Sequence, residues 1–249
     1  MTKTILITGA SAGLGAEMAR QFSDLGHDLA LCARRLDKLE ELRAQILVRH
    51  PDRRVEIRAL DVTDDDRVFE VFRDFADVFP TIDRVIINAG LGKGAPLGTG
   101  KFHANRETAM TNFVAGLAQT EAAMEIFRAQ NSGHLVMISS MSAMRGMPKS
   151  MATYAATKAG VAHLAEGLRT ELHGKPIMVS VIYPGYIASE MNDQAEHKNP
   201  LMASTEKGVR SMVAAIEKEK ASAAVPPLPW APMSVVMKLA PTPLFKRMI

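Results

Sequence analysis

Tyr154 and Lys158 stand one helical turn apart in Tyr154-Ala155-Ala156-Thr157-Lys158, at the start of a stretch that reads as a long helix, so both side chains project from one face. A phenol is a poor acid or base near neutrality, with a reference pKa of about 10. An ammonium held beside it favours the phenolate and draws that value down. Tyrosine next to lysine can therefore exchange a proton with a hydroxyl or a carbonyl. The pair alone carries little weight, because this spacing arises by chance in many helices. Its meaning depends on the elements that would bring a reactant to it.

The first of these is the short apolar run Thr4-Ile5-Leu6-Ile7-Thr8, of the buried-strand kind, followed by Gly9-Ala10-Ser11-Ala12-Gly13-Leu14-Gly15. Gly9, Gly13 and Gly15 let the chain turn tightly, bring bare backbone near a ligand and pack the next helix on the sheet. That helix starts near Gly13 and aims its leading amides and positive dipole end above the strand, where a pyrophosphate would suit it. A second strand, Asp28 to Ala33, runs into Arg34-Arg35. An acid at this strand end holds the ribose diol of NAD, whereas arginine accommodates the extra phosphate of NADP. Ala33 replaces the acid, so Arg34 and Arg35, with Ser11 adding a hydroxyl, point to the phosphorylated cofactor.

The order Thr8 to Gly15, Asp61-Val62, Asn88-Ala89-Gly90, Asn112, Ile138-Ser139-Ser140, Tyr154 with Lys158 and Pro184-Gly185 resembles the short-chain dehydrogenase/reductase family from residue 3 to about residue 225. The resemblance implies that Asp61 accepts from the adenine amino group and Val62 lies against its ring. It places Asn88, Ala89 and Gly90 beside the riboses. Ser140 would hydrogen-bond the substrate oxygen, and Tyr154 would supply or remove the proton. Lys158 would hold the nicotinamide ribose and lower the tyrosine pKa, while Asn112 would fix a water leading to Lys158. Pro184, Gly185 and Ile187 would border the nicotinamide, with Ser189 at its amide or at a phosphate; Asn112 could instead bond within its helix, and Ser189 could cap the next one. In this family the serine usually lies one residue nearer to the tyrosine than Ser140 and one farther than Ser142. Ser140 is preferred over Ser139 and Ser142 because it follows the strand His134 to Ile138, where the sheet fixes it. Ala12 also departs from NADP-using relatives, which often carry a basic residue there.

Alternating strands and helices predict an α/β fold: one Rossmann-like, doubly wound parallel sheet with helices on both faces, over a single domain 1–249. Expected elements include a helix Leu36 to Val48, a strand Val55 to Ala59, a helix Asp64 to Phe79 and a strand Arg84 to Asn88. Two long helices, His103 to Ala129 and Ala152 to His173, precede a sixth strand, Ile177 to Tyr183. The 249 residues are 47% apolar, enough for one large core. Lys plus Arg number 30 against 27 Asp plus Glu, a margin too thin to suggest nucleic acid. The lone Cys32 lies inside a strand and reads as core. No metal is expected, and the absence of a signal sequence suggests the cytoplasm.

Two regions should individualise the chain. Leu91 to Lys101 is a glycine-rich segment over the expected cofactor site, and Tyr186 to Ala203 would form a substrate lid. Met141, Met144, Met147 and Met151, with Met191 and Met202, could line a pocket for a bulky lipophilic substrate. Residues 226–249 form a Pro-rich apolar extension, too short to span a bilayer. Its uses are a membrane surface, a cover for the site, or packing on a neighbouring subunit; the last is preferred, since the segment is short and weakly charged for membrane binding. The resemblance implies a homo-oligomer, dimer or tetramer. The expected activity is hydride transfer between NADP(H) and a small-molecule carbonyl or secondary alcohol. The alternative is an NADPH-binding regulator or scaffold without turnover.

Overall fold

The structure, a computed structural model, describes residues 1–189 and 201–248. Its centre is a seven-stranded parallel sheet in the order β3-β2-β1-β4-β5-β6-β7. The strands are β1 (Thr4–Thr8), β2 (Asp28–Ala33), β3 (Val55–Ala59), β4 (Arg84–Ile87), β5 (Gly133–Ile138), β6 (Ile177–Pro184) and β7 (Ser222–Val225). Helices α1 (Gly13–Asp24), α2 (Leu36–Arg49) and α7 (Thr205–Glu217) cover one face, and α3 (Asp65–Val78), α5 (Ala115–Gln130) and α6 (Ala152–Glu171) the other. Period-two alternation feeds both cores: Leu6, Val85 and Leu135 point into one, Ile7, Ile86 and Val136 into the other. That is why these strands read as unbroken apolar runs.

Several boundaries follow from local chemistry. Asp64 caps α3 by accepting from the Arg67 amide at 3.1 Å, and Ser204 caps α7 from the Lys207 amide. In contrast, α1 has Ala12 at its cap position and no side-chain cap, so its leading amides stay available above β1. The helix expected over 103–129 is continuous but not uniform. It comprises α4 (Phe102–Ala109), a π-turn Met110–Val114 and α5. Wider turns of this type recur where a side chain must be re-aimed at a functional site.

The seventh strand, β7, extends the sheet beyond the expected sixth. After it come α8 (Pro227–Leu239) and α9 (Thr242–Met248). Of the three uses expected of this extension, covering the site is visible within the chain: its inner side, Trp230, Met237, Ala240 and Phe245, joins Met141 in a third apolar cluster next to the sheet's carboxyl ends. Trp230 and Phe245 each bury a large ring against that end of the molecule. No helix among the described residues is long and apolar enough to cross a membrane.

Candidate active site

A cleft of about 1980 Å³ opens along the carboxyl ends of the strands. Its first wall is the glycine turn. Gly9 has φ +65°, and a Cβ there would lie 2.9 Å from the Ala89 Cα; a Cβ on Gly15 would lie 2.3 Å from the Gly9 carbonyl oxygen. Gly15 therefore supports the turn from beneath, while Gly9, Ser11, Gly13 and Leu14 form the cleft surface. The Thr8 hydroxyl accepts from the backbone amides of Asn88 and Ala89 at 3.1 Å each, and the Asn88 side-chain Nδ2 donates to the carbonyls of Thr8 and Gly9. Asn88, expected beside the riboses, lines the cleft, and its side chain also ties β4 to the turn. Thr8 was quoted as part of the motif without a role. A hydroxyl at a strand end opposite two adjacent amides is the signal that could have found it.

Arg34 and Arg35 are exposed at the end of β2 and line the cleft, with the Arg35 Nε donating to Ser11 Oγ at 3.4 Å. Asp61 and Val62 follow on the same side; Val62 is buried, and Asp61 Oδ1 accepts from the amide and hydroxyl of Thr63 at 3.0 and 2.8 Å. A bare-backbone cradle, an uncapped helix start and a guanidinium pair fit a dinucleotide with an additional phosphate.

The proton-carrying groups meet at the end of β5. Ser139 is buried and donates to the Lys158 carbonyl at 2.8 Å, which takes its hydroxyl away from the cleft. Ser142 donates to Ser140 Oγ from both its amide, at 3.2 Å, and its hydroxyl, at 3.0 Å. Ser140 accepts both, and it is the serine whose hydrogen bond opposes the rise in the Tyr154 pKa. Of the three serines, Ser140 is thus the one the structure brings to the tyrosine. The turns Met141–Met144 and Lys149–Met151 absorb the unusual spacing before α6.

Lys158 is buried beneath Tyr154, its Nζ donating to the Ile138 carbonyl at 2.9 Å and lying 6.0 Å from the phenol ring centroid. Asn112 does not bond within its own helix. Its amide donates to the Leu91 carbonyl at 2.9 Å and to Thr157 Oγ1 at 3.3 Å, and its Oδ1 accepts from the Leu91 amide at 2.7 Å. Gly90 lies over both groups: a Cβ there would be 3.1 Å from Asn112 Oδ1 and 3.3 Å from Lys158 Nζ. The π-turn and Gly90 together bring Asn112, Lys158 and the end of β4 into one place.

The electrostatics correct one expectation. Lys158 was expected to lower the Tyr154 pKa, but burial raises it, opposed only by the Ser140 hydrogen bond. Burial also lowers Lys158, to about 8, because one carbonyl is a poor substitute for the water an ammonium loses. The ammonium's hydrogen bond goes to β5, and desolvation dominates both groups. Cys32, by contrast, is pushed up to about 12 by burial in the core, which removes its thiolate character.

Pro184, Gly185, Ile187 and Ser189 continue the cleft wall beyond β6. Ile187 also packs in the core, and Ser189 lies by the glycine turn, its Cβ 3.5 Å from where a Gly13 Cβ would be. The expected lid is pinched at its base by the Ile187–Ala203 pairing; residues 190–200, including Met191, lie outside the described residues. Of the other methionines, Met141, Met147 and Met151 line the cleft, Met144 packs behind them, and Met202 does not reach the wall. Leu91, Gly92 and Lys93 line it too, and the glycine-rich segment abuts the Lys149–Met151 turn: a Cβ on Gly94 would lie 2.2 Å from the Ser150 carbonyl oxygen. Sequence reasoning missed Trp230, Met233, Met237 and Phe245, which close the far end.

Known proteins share this architecture. The family profile described as short chain dehydrogenase matches residues 3–200. An uncharacterized oxidoreductase of Mycobacterium tuberculosis is 51% identical over 98% of this chain and 96% of its own length. An uncharacterized oxidoreductase of Myxococcus xanthus is 31% identical over 98% of this chain and 94% of its own. Among solved structures, a short-chain dehydrogenase from Sphingobium yanoikuyae in complex with NADPH superposes with a TM-score of 0.83 at 27% identity, covering 98% of this chain and 95% of that one. Fold, motif order and relatives agree, and the chain belongs to the short-chain dehydrogenase/reductase family of oxidoreductases.

Proposed function

We propose that the protein is an NADP(H)-dependent reductase of lipophilic ketones or aldehydes, with the reverse oxidation of secondary alcohols as the same reaction run backwards. The observation that carries this reading is the meeting of Ser140, Tyr154 and Lys158 at the end of β5, opposite the glycine turn. When bound, the nicotinamide supplies or takes up the hydride. The chain's own residues do the rest. The turn at Gly9 to Leu14 would hold the pyrophosphate, and Arg34 and Arg35 the additional phosphate. Asp61 and Val62 would receive the adenine, and Pro184, Gly185, Ile187 and Ser189 would border the nicotinamide.

Ser140 and Tyr154 would donate hydrogen bonds to the substrate's carbonyl oxygen, stabilising the charge that develops there, and Tyr154 would then release its proton to that oxygen. Because burial keeps Tyr154 in its neutral phenol form, it holds the proton that reduction consumes. Lys158 would hold the nicotinamide ribose and favour the phenolate that remains. Asn112, buried next to Lys158 under Gly90, would fix a water through which Lys158 is resupplied with protons. The exposed Met110, Phe113 and Leu117 on the outer side of the long helix pair favour a homo-oligomer.

The test is a screen of purified protein with NADPH and NADH against ketones, aldehydes and secondary alcohols of increasing chain length. The reading requires carbonyl-dependent NADPH oxidation, with NADPH preferred by at least about tenfold in kcat/KM. Tight NADPH binding without any turnover across the panel would instead identify a cofactor-binding regulator.

A further inference from the structure

The cleft has an end that the cofactor residues do not account for. Beyond Pro184-Gly185 it is walled by Met147, Met151, Trp230, Met233, Met237 and Phe245, four of them from α8 and α9. Trp230 sits so close to Gly185 that a Cβ there would lie 2.0 Å from the indole, and its ring meets Tyr186 edge-on at 5.4 Å between centroids. This fixes one side of the wall to the backbone that borders the proton-transfer site.

The other side is held by Arg145, in the loop just after Ser140. Its guanidinium donates to the Met237 carbonyl at 3.3 Å, to the Ala240 carbonyl and to Thr242 Oγ1 at 3.3 Å, and it lies 4.8 Å from the Phe245 ring centroid. Met237 and Ala240 are at the carboxyl end of α8, where a cation also meets the negative end of the helix dipole. One side chain thus joins both C-terminal helices to the serine loop.

We propose that α8 and α9 form the substrate-selecting wall of the cleft, latched by Arg145 as a positioning residue, and that the apolar end receives the hydrocarbon part of the carbonyl substrate. This rests on the reductase reading above. Arg145 touches neither reactant nor cofactor; it determines where Met237 and Phe245 stand. Methionine and aromatic walls take apolar chains of varied shape, so discrimination should follow substrate size rather than any polar substituent.

Three variants, Arg145→Ala, Arg145→Lys and Met237→Trp, test this with a series of ketones from 2-butanone to 2-decanone. For the wild type, kcat/KM should rise along the series. In Arg145→Ala the ratio of kcat/KM for 2-decanone over 2-butanone should fall about tenfold, chiefly through KM, with partial recovery in Arg145→Lys. Met237→Trp, which fills the end without touching the latch, should give a similar fall. The NADPH dissociation constant, read by isothermal titration calorimetry, should move less than about twofold in all three variants.

Equal losses for every ketone, or an NADPH dissociation constant that shifts as much as the ketone KM, would make Arg145 merely structural and overturn the proposal. Binding of the apolar dye 1-anilinonaphthalene-8-sulfonate separates this from failure of the reductase reading. Dye binding weakened by both Met237→Trp and Arg145→Ala, in a wild type that reduces no ketone, would retain the wall and refute the reductase. Ketone reduction with unaltered size selectivity in both variants would do the reverse.

Discussion

The two ends of the sheet each bury a cation, and they treat it in opposite ways. At the carboxyl ends Lys158 has the Ile138 carbonyl as its hydrogen-bond partner, and burial lowers its pKa to about 8. At the amino ends Arg84 is fully buried on β4, donates to His134 Nδ1 at 3.0 Å and pairs with Glu217. Arg84 also reaches the Ile216 carbonyl and lies 5.7 Å from the Phe22 ring centroid, while His134 shares a 2.7 Å hydrogen bond with Ser180. Every guanidinium nitrogen of Arg84 has a partner and its charge is paired; Lys158 has one neutral carbonyl. A buried charge with a counter-ion joins elements, here β4, β5 and α7, whereas an underpartnered one is positioned for a ligand.

The largest effect expected from this contrast is at the open end. Tyr154→Phe should lower the rate of hydride transfer by roughly 10²- to 10⁴-fold while the NADPH dissociation constant changes less than about threefold, as read by single-turnover absorbance and by titration. At the closed end, Arg84→Ala should lower the unfolding free energy by about 3–5 kcal/mol in urea denaturation, because it leaves the Glu217 and His134 groups without their partner. Retention of full stability in that variant would remove the distinction between the two ends.

Cofactor choice sharpens the comparison within the cleft itself. Arg34→Ala combined with Arg35→Ala should weaken NADPH binding by roughly 10- to 100-fold and leave NADH nearly unaffected, since only NADPH presents the additional phosphate. Equal losses for both nucleotides, measured by calorimetry, would place the arginines elsewhere in recognition.

The smallest expected effects are pH dependences. Burial and the Arg84 charge lower His134 from 6.5 to about 3. The unfolded chain then takes up its proton first, so this group's stability contribution is full above 6.5 and declines as pH falls towards about 3. Lys158 also titrates lower when folded, so stability should rise between about 8 and 10.5, where the unfolded chain alone keeps the proton. Denaturation curves for His134→Leu should flatten the acid window, and those for Lys158→Met the alkaline one.

Much of this architecture is legible in the sequence because it depends on local spacing. The Gly9 to Gly15 turn follows an apolar strand, and Tyr154 and Lys158 are placed together by helical periodicity alone. The direction of the Tyr154 shift was misread, since it depends on how much water the fold removes, and spacing does not encode that. Thr8 and Asn88 acquire their roles only when β1 and β4 become neighbours. Arg84 and His134 have nothing local to mark them as partners. The C-terminal helices were harder still: Pro226 to Pro232 disrupts helical periodicity, and the Arg145 contacts that hold them span more than ninety residues of chain.

The most direct measurement compares Lys158→Met with Arg84→Met for thermal midpoint and turnover with NADPH and a ketone. Lys158→Met should lose at least about 100-fold in kcat while unfolding at the same or a higher temperature, since an apolar side chain replaces a poorly partnered buried charge. Arg84→Met should unfold at a lower temperature and, below its midpoint, turn over at close to the wild-type rate. A Lys158→Met protein that keeps its turnover but loses stability, or a folded Arg84→Met protein that loses turnover, would contradict the division of roles.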